Sequence, residues 1–236
     1  MDNLINIIDK VDTTNFTLII PSVAVGNVGQ LTIDLLISSY RFKKYATIWH
    51  PAIIPTVGGD PFFDDPSEIS TACELFINED LRLVVMQIRS GIESKLALSF
   101  FRKLKESLDQ FGFKQTLIIT SAFAYELHNV TSSHYRYVSN DRIPKLEALN
   151  VPQMEKDADD QYTIFGGGYA TKLYDILNDS VIIFKYTSEG DNRPDALEMM
   201  NILCSFLGNF NGKICQISYP TSWKYAFGGP PPLGIY

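Results

Sequence analysis

Apolar residues in this chain fall into short runs broken by glycine, proline and polar turns, and they follow two different spacings. Phe16 to Ile20 is a β-rich run stopped by Pro21, and the turn-prone Gly26-Asn27-Val28-Gly29 follows it. Beyond that turn Leu31, Leu35 and Ser38 share one helical face, while Ile33, Leu36, Ile37 and Tyr40 fill the adjacent one. Val28 to Tyr40 therefore reads as a broadly buried helix. Tyr45 to Trp49 is a second strand. Pro51 to Pro66, with four prolines and two glycines, reads as an irregular loop. Cys73 to Ile77 and Leu81 to Ile88 flank the polar Asn78-Glu79-Asp80, which suits a hairpin.

Leu96, Phe100, Leu104, Leu108 and Phe111 recur at steps of four and three, with Arg102, Lys103, Lys105 and Glu106 on other faces. That pattern predicts an amphipathic helix ended by Gly112. Thr116 to Thr120 is compact enough for a buried strand, and Tyr162 to Phe165 is a weaker strand before Gly166-Gly167-Gly168. A helix from Tyr169 to Leu177, a core strand from Val181 to Tyr186, and a helix opened by Pro194 and running to about Leu207 complete the pattern. The polar stretch from Ala122 to Gln161 reads as loop and short helix across one edge of the sheet.

Alternating β and α segments predict an α/β fold: a three-layer αβα sandwich with helices on both faces of a mixed, mostly parallel sheet. No internal repeat is visible. Residues 1–219 form a single expected domain. Residues 220–236 form a Pro/Gly-rich C-terminal tail, expected to be extended and solvated because it carries Pro220, Pro230-Pro231-Pro232 and three glycines.

Composition narrows the function classes. Hydrophobic residues make up 45% of the chain and charged ones 20%, a globular balance. Twenty basic against 27 acidic residues give a net charge of −7, which argues against nucleic acid or an anionic membrane as partner. Apolar runs such as Leu83 to Met86 are far too short to span a bilayer, and Met1-Asp2-Asn3-Leu4 lacks the basic start of a secretory signal, so export is not expected. Cys73, Cys204 and Cys215 form no CxxC pair, which suits a reducing compartment.

Candidate chemistry is sparse. Gly166-Gly167-Gly168 before a helix could cradle a phosphate, but neither GxxxxGK[ST] nor GxGxxG is matched, and Lys172 lies inside the helix; a tight turn is the favoured reading. Gly26 and Gly29 invite the same choice, with Asp34 too near to be a ribose-binding acid. Glu189, Asp191 and Asp195 cluster with Arg193 where α/β ligands usually bind, and capping of the next helix by Asp191 or Asn192 is the favoured explanation. His50, His128 and His134 lack zinc-site spacing, and no serine lies in GxSxG. No catalytic, cofactor-binding or metal-binding residue is assigned.

Ser22-Val23-Ala24-Val25-Gly26-Asn27-Val28-Gly29-Gln30-Leu31, then Gly166-Gly167-Gly168 with Lys172, Leu173 and Tyr174, then Ser188-Glu189-Gly190-Asp191-Asn192-Arg193-Pro194-Asp195-Ala196-Leu197, together resemble the proteasome assembly chaperone two family. The resemblance extends from about Phe16 to Leu207, and Thr56 to Pro61 and Gln87 to Ser90 fall where that family has similar segments. It implies a non-catalytic subunit, without a cofactor, that pairs with proteasome assembly chaperone one and guides the α subunits of the proteasome core particle into a ring. It also implies a cytoplasmic and nuclear location, and a fold related to a phosphorylase-like architecture whose active site has not been kept.

Family members end in a hydrophobic residue, a tyrosine and one further residue, a tail that inserts into pockets between α subunits. The corresponding partner-binding residues are Leu233, Gly234, Ile235 and Tyr236. Ile235 and Tyr236 match the hydrophobic residue and the tyrosine; the further residue is absent, so the terminal carboxylate is expected on Tyr236 itself. Three prolines limit the entropy lost on ordering such a tail, an aromatic anchor fills a pocket, and a carboxylate can meet a lysine. The alternative function is a phosphorylase-like or nucleotide-binding enzyme that uses the triple-glycine turn.

Overall fold

Every residue of the run Thr17–Pro21 is buried, as are all six of Leu83–Ile88, which is the signature of strands covered on both faces. The computed structural model describes residues 4–63, 65–129, 131–177, 179–210 and 216–225. In chain order, β1 (Ile5–Ile7) precedes β2 (Thr17–Pro21), and a 3-10 turn at Val25–Asn27 leads into α1 (Val28–Tyr40). Next come β3 (Lys43–Ile48), a ribbon of β4 (Val57–Gly59) and β5 (Ile69–Thr71), and a hairpin of β6 (Cys73–Asn78) and β7 (Leu83–Ile88). Helix α2 (Ser94–Leu108), β8 (Gln115–Phe123), β9 (Tyr135–Val138), the short helices α3 (Pro144–Ala148) and α4 (Ala170–Ile176), β10 (Ser180–Thr187) and α5 (Arg193–Leu207) complete the order.

Among the described residues the main sheet has eight strands in the order β1-β3-β6-β7-β2-β8-β10-β9. The central four, β7, β2, β8 and β10, pair in parallel, with Leu18 opposite both Val84 and Thr116 and Ile118 opposite Ile182. Antiparallel neighbours flank them: β6, β3 and β1 on one side, β9 on the other. Side-chain alternation splits the core in two. Ile19, Val85, Leu117, Ile119 and Ile183 pack with the buried residues of α1 and α5, including Leu36, Met199 and Leu203. Leu18, Ile20, Val84, Ile118, Ile182 and Phe184 pack with Phe100, Phe101, Leu104 and Leu108 of α2 and Leu173 of α4. The result is the expected three-layer αβα arrangement on a mixed sheet.

Several expectations need correction. Tyr162 to Phe165 is not a strand. The edge of β10 that it would have joined is already taken by β9, with Lys185 opposite Tyr135, so Tyr162 and Ile164 instead pack half-buried on the core. Strands β1, β4, β5 and β9 were not expected; three of them are only three residues long and partly exposed, too short to carry an alternation. The stretch after Tyr219 was expected to be extended and solvated, but its first part is not. Thr221–Tyr225 forms a 3-10 turn in which Trp223 is 7% exposed, and the Thr221 and Ser222 N–H groups donate to the carbonyls of Phe62 (3.2 Å) and Pro61 (3.0 Å). An indole has more apolar area to hide than a solvated tail can cover, so it draws the segment back onto the body.

Candidate interaction surface

The carboxyl ends of the parallel strands meet three connections: the turn before α1, the triple-glycine turn before α4, and the loop before α5. Most of their polar groups are used internally, although the buried Asn192 Oδ1 has no partner among the described residues. Ser22 Oγ donates to the Gly167 carbonyl (2.9 Å) and accepts the Tyr169 N–H (2.9 Å), while Thr120 Oγ1 donates to the same carbonyl (3.0 Å). Gly167 N–H donates to Ile164, Ala170 N–H donates to Gly167, and the Gly166 carbonyl takes the Val25 N–H. A Cβ on Gly168, at φ 62°, would sit 1.9 Å from the Val23 carbonyl oxygen. The turn is thus a clamp between α4 and the end of β2, and the N–H groups a phosphate would need from Gly167, Tyr169 and Ala170 are already donated within the chain.

Gly26 has a similar reason: at φ 65°, its Cβ would lie 2.7 Å from the Asn192 side chain. Gly29 lets α1 approach the Ile119 carbonyl, 2.7 Å from where a Cβ would stand. Asn192 occupies the N-cap position of α5 without capping it; its amide donates instead to Thr187 Oγ1 (2.8 Å), the Ser188 carbonyl and Asp195 Oδ2 (2.9 Å). Asp191 takes the capping part, accepting the Arg193 N–H at 3.2 Å and the Arg193 guanidinium at 2.6 and 2.8 Å. These hydrogen bonds, from the Arg193 side chain first, hold the Asp191 carboxyl below its ordinary value.

Asp195 faces Lys185, Thr187 and Asn192, and Lys185 also meets Glu198 at 2.6 Å. Burial alone would raise the Asp195 carboxyl, but the hydrogen bonds from Lys185 and Asn192, then the Lys185 charge and Thr187, outweigh it and hold the group below its usual range. Asp191 and Asp195 are therefore neutralised ion-pair members, which suits neither a base nor a metal ligand.

The remaining candidates scatter. His50 is buried at the end of β3, its Nδ1 accepting the Ala52 N–H (3.1 Å) and its ring against Phe100; burial, with help from Lys103, lowers its pKa. His128 and His134 are exposed on the 124–135 connection. Among the described residues no group of three or more His, Cys, Asp or Glu side chains could hold a metal ion. Burial pushes the Cys73 thiol well up, and Cys204 is half-buried. Cys215 and the expected partner-binding residues Leu233, Gly234, Ile235 and Tyr236 lie outside the described residues.

One cluster escaped the sequence reading. Asp34 of α1 is buried against Arg89 (2.7 Å) and Gln87, with the Trp223 indole as a further donor, and Arg89 also lies over the Phe62 ring at 5.1 Å. Burial pushes the Asp34 carboxyl up, against the pull of Arg89 and its donors. This cluster ties α1, the end of β7, the 60–63 loop and the 221–225 turn together. A mid-helix acid on a broadly apolar helix was its only sequence signal.

Beside the exposed Glu93, Lys95, Glu189 and Asp191, the carboxyl edge also exposes apolar side chains. Trp49 after β3 is 69% exposed, and Ile54, Tyr125 after β8, Phe165, and Leu96 and Leu98 at the start of α2 are exposed as well. The opposite edge presents Glu79, Arg82, Asp109 and Lys114 from its connections. Ile7, Ile8, Val57, Phe63 and Ile69 are exposed elsewhere on the molecule; exposed apolar side chains of this kind suit binding rather than chemistry.

The family model for the PAC2 family matches residues 18–177. The chain belongs to the PAC2 family. It is 34% identical to proteasome assembly chaperone 2 of Danio rerio over 245 residues, covering 92% of this chain and 94% of that one. To the Homo sapiens protein of the same name it is 30% identical over 254 residues, with 95% and 96% covered. These relatives are named for chaperoning assembly, a non-enzymatic role. Among solved structures, PbaA of Pyrococcus furiosus, an archaeal homolog of proteasome-assembly chaperone, superposes with a TM-score of 0.65 at 13% identity over 86% of each chain. PbaB of the same organism, an archaeal proteasome activator, gives 0.61 at 12% identity, covering 86% and 88%. At such identities these two establish the shared fold and nothing more. With its donors spent inside the fold, the triple-glycine turn is not a phosphate cradle.

Proposed function

We propose that this chain is a proteasome assembly chaperone: a subunit that pairs with a homologous partner, proteasome assembly chaperone one, and guides α subunits of the core particle into a ring. The observation that carries this reading is end-to-end similarity to proteins named proteasome assembly chaperone 2, over more than nine-tenths of both chains. The apolar side chains at the carboxyl edge support it, because such surfaces are ordinarily covered in complexes. In this reading Leu233, Gly234, Ile235 and Tyr236 dock between α subunits, as the family resemblance of the tail implies. The work is done in the cytoplasm and nucleus, where proteasomes are built.

The enzyme alternative is the weaker one. It needs free donors at the triple-glycine turn and a titratable pair, whereas Gly167, Tyr169 and Ala170 donate inside the fold and Asp195 is held by Lys185. The deciding experiment is copurification of the chain from cells, with mass measurement of the intact complexes. A complex of this chain, one PAC-family partner and α subunits without catalytic β subunits is expected. Isolation as a lone monomer that leaves α-ring formation unchanged when depleted would overturn the proposal.

A further inference from the structure

An open apolar groove of about 670 Å³ runs between the first turns of α5 and the segment from Tyr219 to Lys224. Pro194 and Leu197 form one wall, Tyr219, Pro220 and Trp223 the other. The Tyr219 and Trp223 rings lie 5.9 Å apart at 37°, so the open face of Tyr219 stands against a buried indole. Tyr219 is 56% exposed, leaving its ring open to a ligand. Neighbouring aromatic rings beside a shallow apolar trough are what a polyproline II segment recognises: it is extended and rigid before it binds, and its rings lie flat on aromatic faces.

The chain carries such a segment immediately beyond this wall. The described residues end at Tyr225, and Ala226-Phe227-Gly228-Gly229-Pro230-Pro231-Pro232-Leu233 follow. Five residues from Tyr225 to Pro230 reach at most about 17 Å, and one polyproline turn adds about 9 Å, so a segment that starts at the groove can fold back along it. Gly228-Gly229 supplies the hinge such a reversal needs. The occupant carries no charge and would lie on Pro194, Leu197, Tyr219 and Pro220; of the charged residues that also line the groove, Asp191 is paired with Arg193, and Lys224 is the third.

We infer that this groove is a polyproline-binding site whose occupant is the chain's own Pro230–Pro232 segment, seated in cis. The seated prolines hold the stem of the tail against the start of α5, so that Ile235 and Tyr236 leave the body from a fixed place. Peptide binding by the isolated chain tests this separately from the proposed function, since no α subunit or partner takes part.

The test uses the full chain, a full chain with Pro230→Ser, Pro231→Ser and Pro232→Ser, and a fluorescently labelled peptide of residues 226–236 followed by anisotropy. The triple-serine chain has an empty groove and should bind the peptide saturably. The unaltered chain should bind it about tenfold more weakly, because a tethered segment at an effective concentration of about 1 mM competes with a peptide whose Kd is about 100 µM. Tyr219→Ala, and separately Leu197→Ala on the opposite wall, placed in the triple-serine chain, should each weaken binding about tenfold. Equal binding to the serine and unaltered chains, or no binding to either, overturns the inference, as does indifference to both wall substitutions. A concentration-dependent dimer of the unaltered chain that the serine chain does not form would assign the groove to a second copy's tail and overturn the cis assignment.

Discussion

Gly168 combines a left-handed φ of 62° with a Cβ position 1.9 Å from a backbone oxygen, and neither strain can relax without parting α4 from β2. Gly168→Ala should therefore cost at least about 3 kcal/mol, combining backbone strain with overpacking. Gly58 has nothing within 4 Å of its Cβ position, and Gly58→Ala should stay within about 0.5 kcal/mol. Urea denaturation of the two variants checks the contrast. Asp195 allows a test by pH. Its folded pKa lies below the ordinary value of 3.8, so its network contributes fully above that value, and the contribution is lost as pH falls through the folded pKa. Asp195→Asn should thus melt below the unaltered chain near neutral pH, and the gap between the two melting temperatures should close as the pH is lowered past 3.8. A gap that stays constant with pH would place the effect in packing instead.

At the scale of elements, the legible parts were those with enough turns or alternations to carry a period. Helix α1 is found at the expected Val28–Tyr40, and α2 keeps its Phe100, Leu104 and Leu108 stripe buried. Three-residue strands such as β1 and β4 have no period to read, and β9 is decided by the edge of β10 being open to it. The 221–225 turn is another element that only packing reveals. The prolines and glycines before and after it in the sequence read as a solvated tail, yet Trp223 reaches Asp34 and the 61–62 carbonyls hold its backbone. Trp223→Ala should destabilise the fold by about 3–5 kcal/mol, which a solvated tail would not. Hydrogen exchange at Thr221 and Ser222 should accelerate in that variant, because their N–H donors lose the turn that presents them.

For the whole molecule, body and tail should separate in function. The described body ends in a docked turn at Tyr225, and Ile235 and Tyr236 come after it in the chain. That deletion should leave the melting temperature and the pairing with a homologous partner unchanged, while weakening binding to an assembled α ring. Loss of an aromatic anchor from a pocket corresponds to about 2–4 kcal/mol, roughly thirtyfold to several hundredfold in affinity. Affinity for the ring measured with both forms of the heterodimer checks it. Unaltered affinity would leave recognition to the body alone, where Trp49, Tyr125 and Phe165 stand exposed.

Fold class followed from local pattern because the central strands are buried on both faces: a continuous apolar run such as Leu117–Ile119 between helical periods has few other stable solutions. Family membership was legible for the same reason that Gly26, Gly29 and Gly168 are glycine, namely that the Asn192 side chain crowds the first and backbone oxygens the other two. What a turn does with its polar groups is not local. Whether Gly166-Gly167-Gly168 offers its donors to a ligand depended on Ser22 and Thr120, far away in the chain, arriving to use the turn's polar groups. Likewise Asp34, Arg89 and Trp223 meet only because three elements cross there, and the apolar surface forms only once the strands of one sheet end side by side. Period and turn chemistry act over a few residues, so they determine elements; long-range pairing decides which polar groups are spent and which apolar ones are left for a partner.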